Sequence, residues 1–137
     1  MLAAFAVSAL LVAAGCGGDS TPGGTETGAA TKLVITIYPQ GRGDQTFAKW
    51  ELECAPPGGS IPEPKQACEQ LESADPTLFE PLPADTVCTQ QFGGPEAADV
   101  EGTLRGRPIQ AQFARFDGCQ IERWERLRLL FPAGDAT

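Results

Sequence analysis

The sequence predicts an α+β domain, an antiparallel sheet with two short helices on one face. Three observations carry this reading. Apolar β-branched or strictly alternating segments outnumber helical ones. They are joined in pairs by short glycine-containing turns, the spacing of hairpins rather than of parallel crossovers. Two further short segments place their apolar residues three or four apart, as one face of a helix does. The chain has 137 residues with 16 Gly and 12 Pro, which is one domain's worth of length with more turn-formers than average.

The first segment is an address rather than part of the fold. Residues 1–15 are uncharged, rich in Ala, Leu and Val, and end in Ala13-Ala14-Gly15 before Cys16. As a helix rising 1.5 Å per residue they are too short for a hydrocarbon core of about 30 Å. They have the size and small-residue exit of a signal peptide. The run into Cys16 resembles a bacterial lipobox, in which the Cys is acylated and becomes the mature N-terminus. Ala13 stands where Leu is commoner, and no basic residues precede the apolar run. Residues 17–31 contain no large apolar side chain. They cannot bury enough surface to offset their ordering entropy and read as a tether. The expected organisation is a signal peptide over 1–15, lipidated Cys16 and its tether over 16–31, a folded domain over 32–132, and a disordered tail over 133–137. Export to the outer face of a membrane, or secretion, permits disulfides.

Within the domain, Lys32 to Tyr38 is β-branched and apolar and reads as a strand. Pro39 to Asp44 is a turn. It contains Arg42-Gly43-Asp44, the tripeptide of integrin ligands, although Gly and Asp are ordinary turn residues. Gln45 to Cys54 alternates, with Ala48, Trp50, Leu52 and Cys54 on one side and Phe47, Lys49, Glu51 and Glu53 on the other. That is the period of a half-buried antiparallel strand. Pro64 to Ser73 reads as a helix, with Pro in its first turn and Glu63 at its positive end. Ala67, Cys68 and Leu71 share a face. Asp75 to Asp85 is irregular, pinned by Leu78, Phe79 and Leu82. A second hairpin pairs Asp99–Leu104 with Ile109–Phe116 through a turn at Arg105-Gly106-Arg107. Cys119 to Leu127 reads as the second helix, and Arg128 to Phe131 as a last strand.

Composition excludes several functions. The chain carries 10 Lys plus Arg, 18 Asp plus Glu and no His, for a net charge of −8. Nucleic acid is a poor partner for it, since phosphate binding rests on clustered cations. Without histidine there is no Ser-His-Asp or Cys-His pair and no His-ligated metal. Only carboxylates such as Glu51 and Glu53 are left for acid–base work, and alternate strand positions are usually a wetted face. An enzyme is therefore not expected, nor a cofactor. Residues 50–101 are acidic with Lys65 as their one base, a pattern of solvated surface.

Cys54, Cys68, Cys88 and Cys119 show no CxxC spacing and read as disulfides rather than a zinc site. Four cysteines allow three pairings. Sequence position favours Cys54–Cys68, a strand end tied to the next helix, and leaves Cys88–Cys119. Each bridge contributes about 3 kcal/mol through loop entropy. The stretch from Val87 to Phe92 is too polar for a core strand and too short for a helix. A disulfide at one end of such a loop either staples a connection or holds an extended peptide in one shape. A protease cleft binds extended peptide by adding it edge to edge.

The pattern as a whole resembles the subtilisin inhibitor-like proteins of actinobacteria, the Streptomyces subtilisin inhibitor type. The residues that carry the likeness are Leu33-Val34-Ile35-Thr36, Leu52-Glu53-Cys54-Ala55-Pro56-Pro57-Gly58-Gly59, Ile61-Pro62 and Ala67-Cys68-Glu69-Gln70-Leu71. They continue through Val87-Cys88-Thr89, Val100-Glu101-Gly102, Gly106-Arg107-Pro108-Ile109, Phe113-Ala114-Arg115, Gly118-Cys119 and Arg123-Trp124. The resemblance implies a five-stranded antiparallel sheet with two short helices, disulfides Cys54–Cys68 and Cys88–Cys119, and a homodimer formed through the sheet. It also implies inhibition of subtilisin-like serine proteases by a substrate-like loop comprising Val87, Cys88, Thr89, Gln90, Gln91 and Phe92. Carried over by position, Gln90–Gln91 is the bond cleaved slowly. Gln90 would enter the primary specificity pocket, Val87 an apolar pocket three residues earlier, and Phe92 the leaving-group side. The loop departs from the well-studied members in three ways. Thr89 replaces a Pro, Gln90 is polar where subtilisin prefers large apolar residues, and Gly93-Gly94 adds backbone freedom. These departures support an alternative, a non-inhibitory cell-envelope binding module of the same fold.

Overall fold

The computed structural model describes residues 30–132. The expected signal peptide, the lipidated Cys16, most of the tether and the tail lie outside the described residues. Five strands and two helices follow in order: β1 (Thr31–Tyr38), β2 (Ala48–Cys54), β3 (Gly58–Gly59), α1 (Pro64–Ser73), β4 (Ala97–Leu104), β5 (Arg107–Ala114) and α2 (Gly118–Arg126). Short 3₁₀ turns occupy Pro76–Phe79 and Arg128–Leu130. The strands form one antiparallel sheet in the order β3-β2-β1-β4-β5.

The register explains the single core. Ile35 is paired with Trp50 on one side and Val100 on the other, and Val100 is paired with Ala111. Cross-strand partners share a face, so these residues form one inward row, with Leu33/Leu52 and Ile37/Ala48/Ala98/Phe113 beside it. Each large side chain buried in these rows stabilises by about 1.5–3 kcal/mol. The opposite face carries Lys32, Lys49, Glu51, Glu53, Glu101, Gln110 and Gln112, all exposed. Glu53 forms a surface ion pair with Lys32 at 3.0 Å. The integrin-like tripeptide is tied down, because Arg42 Nη2 lies 2.7 Å from Asp99 Oδ1 and also donates to the Ala98 carbonyl.

Both helices bury one stripe. Ala67, Cys68 and Leu71 of α1 enter the core as expected. Trp124 of α2 enters with Leu127, Leu130 and Phe131 beyond its end. The Pro76–Phe79 turn is set by Asp75, whose carboxylate accepts from the Thr77 amide and hydroxyl at 2.9 and 2.8 Å. Those two bonds hold the Asp75 carboxyl below its ordinary range.

Four expectations need correction. The last segment is a 3₁₀ turn, not a strand, because the Leu130 amide donates to the Leu127 carbonyl at 2.8 Å and the Phe131 amide to the Arg128 carbonyl at 3.0 Å, which brings Leu130 to the core one turn after Leu127. The fifth strand is instead Gly58–Gly59, paired with Leu52 and Glu53. Two glycines have no side-chain pattern to announce a strand. Gly59 is needed here, since a Cβ on it would lie 2.2 Å from the Glu51 carbonyl oxygen. The second hairpin turns on Arg105-Gly106 alone, both at positive φ, so β5 starts at Arg107 and stops at Ala114. Strand β1 begins at Thr31, one residue before the expected start, with buried Thr31 accepting the Arg105 amide through its hydroxyl at 3.0 Å. Strand β2 starts at Ala48 rather than Gln45, because Asp44 accepts the Thr46 amide at 2.7 Å and keeps the chain turning.

Arg123 joins these parts. It is only 7% exposed and lies 4.7 Å over the Phe113 ring. Its guanidinium donates to the carbonyls of Leu78, Glu80 and Gln112 and to Gln120 Oε1. Burial pushes its pKa below the ordinary arginine value, yet arginine stays charged. Arg123→Ala should therefore lower the unfolding free energy by about 3 kcal/mol, since it removes a buried side chain and leaves three partly buried carbonyls without that donor. Urea denaturation measures this, and Arg123→Lys should recover only part of the loss.

Candidate functional site

Residues 86–96 cross from the proline-rich segment to β4 without repeating secondary structure. Helix α2 is what fixes their path. Its first turn is capped by Asp117, whose side chain accepts the Gln120 amide at 2.9 Å. This cap aims the start of the helix, including Cys119, at the loop. Cys88 bonds to Cys119 with Cα atoms 5.4 Å apart. The second bridge is Cys54–Cys68, with Cα atoms 5.8 Å apart. Both pairings agree with the expectation.

Two backbone hydrogen bonds continue the attachment. The Gly118 amide donates to the Thr89 carbonyl at 3.0 Å, and the Gly93 amide donates to the Arg115 carbonyl at 2.7 Å. Between these points, Gln90, Gln91 and Phe92 make no backbone hydrogen bond with another described residue. Val87 is 94% and Phe92 68% exposed. The structure thus gathers the predicted residues into one loop, with Cys88 half-buried as its anchor and Thr89, Gln90 and Gln91 exposed.

Arg115 is itself braced. Its guanidinium lies 5.9 Å over the Trp124 ring, with Glu96 at 3.6 Å and Glu125 at 3.8 Å. Gly118 permits the approach on the other side, because a Cβ there would lie 2.0 Å from Thr89 Oγ1. The glycine after the loop is not the source of freedom expected from the sequence. Gly93 is bonded to Arg115, and the space a Cβ would need is filled by the Ile121 side chain at 2.8 Å. Sequence reasoning missed Arg115, Gly118 and Ile121 as supports. Only Asp117, an N-cap type just ahead of a helical segment, carried a local signal.

The site offers no metal centre. The side-chain ligand atoms of Cys88, Asp117 and Cys119 lie within 4.8 Å of one another, but both sulfurs are used in the disulfide and provide no thiolate. Glu51 and Glu53 lie on the outer sheet face, away from the core.

Residues 29–115 match the subtilisin inhibitor-like family, and the chain belongs to it. The fold is similar to that of sermetstatin from Streptomyces caespitosus, solved in complex with subtilisin from Bacillus licheniformis. The two are 24% identical, the match covers 74% of this chain and 97% of that one, and the TM-score is 0.50. No curated protein matches this sequence.

The Gly118–Thr89 contact gives a direct test. Gly118→Ala should destabilise the chain by about 1 kcal/mol, because the methyl group displaces Thr89 and weakens one hydrogen bond. Thr89→Ala added to it should remove most of that penalty in a double-mutant cycle followed by urea denaturation.

Proposed function

We propose that the protein inhibits subtilisin-like serine proteases, with Gln90–Gln91 as the bond presented for attack. One observation carries this reading. The loop is attached on both sides of that bond to the same segment, 115–121, while the three residues between the attachments stay free. Family membership and the subtilisin-bound relative support the choice of protease class.

The mechanism follows from the loop. The backbone around Gln90 pairs with the edge of the protease cleft. Val87 and Phe92 offer apolar side chains on either side of the bond, and Gln90 enters the primary pocket. The protease serine oxygen attacks the Gln90 carbonyl carbon. Breaking the C–N bond yields an acyl-enzyme at Gln90 and a free amine on Gln91. In an ordinary substrate that amine diffuses away. Here both halves remain tied to the domain, so the amine can re-attack the ester and expel the serine. Effective molarities of about 10⁵–10⁸ M for well-oriented groups let resynthesis compete with hydrolysis. Affinity comes largely from ordering the loop before binding.

The alternative of a non-inhibitory module rested partly on a loose Gly93-Gly94. Gly93 is bonded and packed, which speaks against looseness at that residue. We also propose that the chain is exported and held at the outer membrane face by acylated Cys16, and that two copies associate through the sheet. Palmitate labelling lost in Cys16→Ala, and sedimentation at twice the chain mass, are the expected results.

Titration of subtilisin with the purified full chain should abolish activity at a fixed stoichiometry, with slow partial cleavage between Gln90 and Gln91 on mass mapping. Rapid complete digestion would overturn the proposal. Gln90→Leu should tighten binding to subtilisin by about tenfold or more, because an apolar pocket gains from each added buried group.

A further inference from the structure

Resynthesis demands more of one half of the loop than of the other. The Gln90 end is held by a covalent bridge one residue beyond Thr89 and by the Thr89 carbonyl. The Gln91 end, where the new amine would form, has no covalent tie of its own. Only Phe92 separates it from Gly93, so whatever fixes Gly93 fixes the amine to within two residues. Gly93 is fixed by two contacts of different kinds. Its amide donates to the Arg115 carbonyl at 2.7 Å. Its α-carbon lies against Ile121 so closely that a Cβ would stand 2.8 Å from both Cγ1 and Cδ1 and 3.2 Å from the Arg115 oxygen. Gly94 then turns away at φ +146, where a Cβ would strike the Glu96 carboxylate. Ile121 lies two residues after Cys119 on α2. The two ends of the cut bond would thus be carried by one rigid segment.

We propose that Gly93 and Ile121 form a latch that retains the new amino end after cleavage. Ile121 is then a positioning residue that decides whether the loop behaves as an inhibitor or as a substrate. The inference rests on the inhibitory reading, but the latch can be tested apart from it. In the intact full chain, amide hydrogen exchange at Gly93 should be slow, about tenfold faster in Ile121→Ala, and restored in Ile121→Val. In chain cut between Gln90 and Gln91, the Gly93 amide should remain protected. With subtilisin, Ile121→Ala should leave the initial stoichiometry unchanged and raise the equilibrium ratio of cut to intact chain by about tenfold, with Ile121→Val again near wild type.

A Gly93 amide that exchanges at the rate of unstructured peptide, in intact or cut chain, overturns the latch. So does an Ile121→Ala variant that matches wild type in both exchange and ratio. Should wild type fail to inhibit subtilisin, the inhibitory reading falls on that result alone, and the exchange rates still decide the latch.

Discussion

Phe113 sits on the inner face of β5 with Phe79, Phe131 and the Arg123 guanidinium against its ring, at centroid distances of 6.0, 5.1 and 4.7 Å. Aromatic contacts of this kind add about 0.5–1.5 kcal/mol each to the burial term. Their larger consequence is geometric. Phe79 comes from the proline-rich segment, Phe131 from the last turn and Arg123 from α2, so one ring sets the position of three separate pieces against the sheet. Trp124, its ring tilted 31° to that of Phe131 at a centroid distance of 4.4 Å, seals the same corner. Because α2 is seated there, its first turn has a defined place, and the loop is attached to that turn.

The attachment resolves a conflict between rigidity and exposure. A loop must leave its side chains free to be gripped, yet each residue it orders costs about 1–2 kcal/mol of backbone entropy. A small domain cannot bury enough of the loop to recover that cost. Here the ordering is supplied from one side only. A disulfide, two backbone hydrogen bonds and the close approach allowed by Gly93 and Gly118 hold the loop's backbone, while Val87 and Phe92 stay in solvent. The braced Arg115, between Glu96 and Glu125 and over Trp124, gives the second hydrogen bond a fixed acceptor.

The outer sheet face follows a different logic. Its charges are in water, where ion pairs such as Lys32–Glu53 contribute little. Arg42 is the exception in placement, since it reaches from the β1–β2 turn to Asp99 and the carbonyls of Ala98 and Phe113. It closes the end of the sheet near β5.

Much of this was determined by the sequence alone. Period-two alternation in 48–54, β-branched residues in 32–38 and the i, i+1, i+4 stripe Ala67-Cys68-Leu71 each state a local geometry that packing then kept. The cysteine flanks carried the family and the loop. The tertiary structure decided the rest, for reasons that lie outside any local pattern. Gly58–Gly59 is a strand only because Leu52 and Glu53 offer it an edge. Leu127 and Leu130 turn rather than extend because they meet the core one helical turn apart. Gly93 reads as freedom in a sequence and becomes a point of attachment only where Ile121 and the Arg115 carbonyl, 28 and 22 residues away in the chain, are brought to it. A glycine states what it permits, and the neighbour that uses the permission is supplied by the fold.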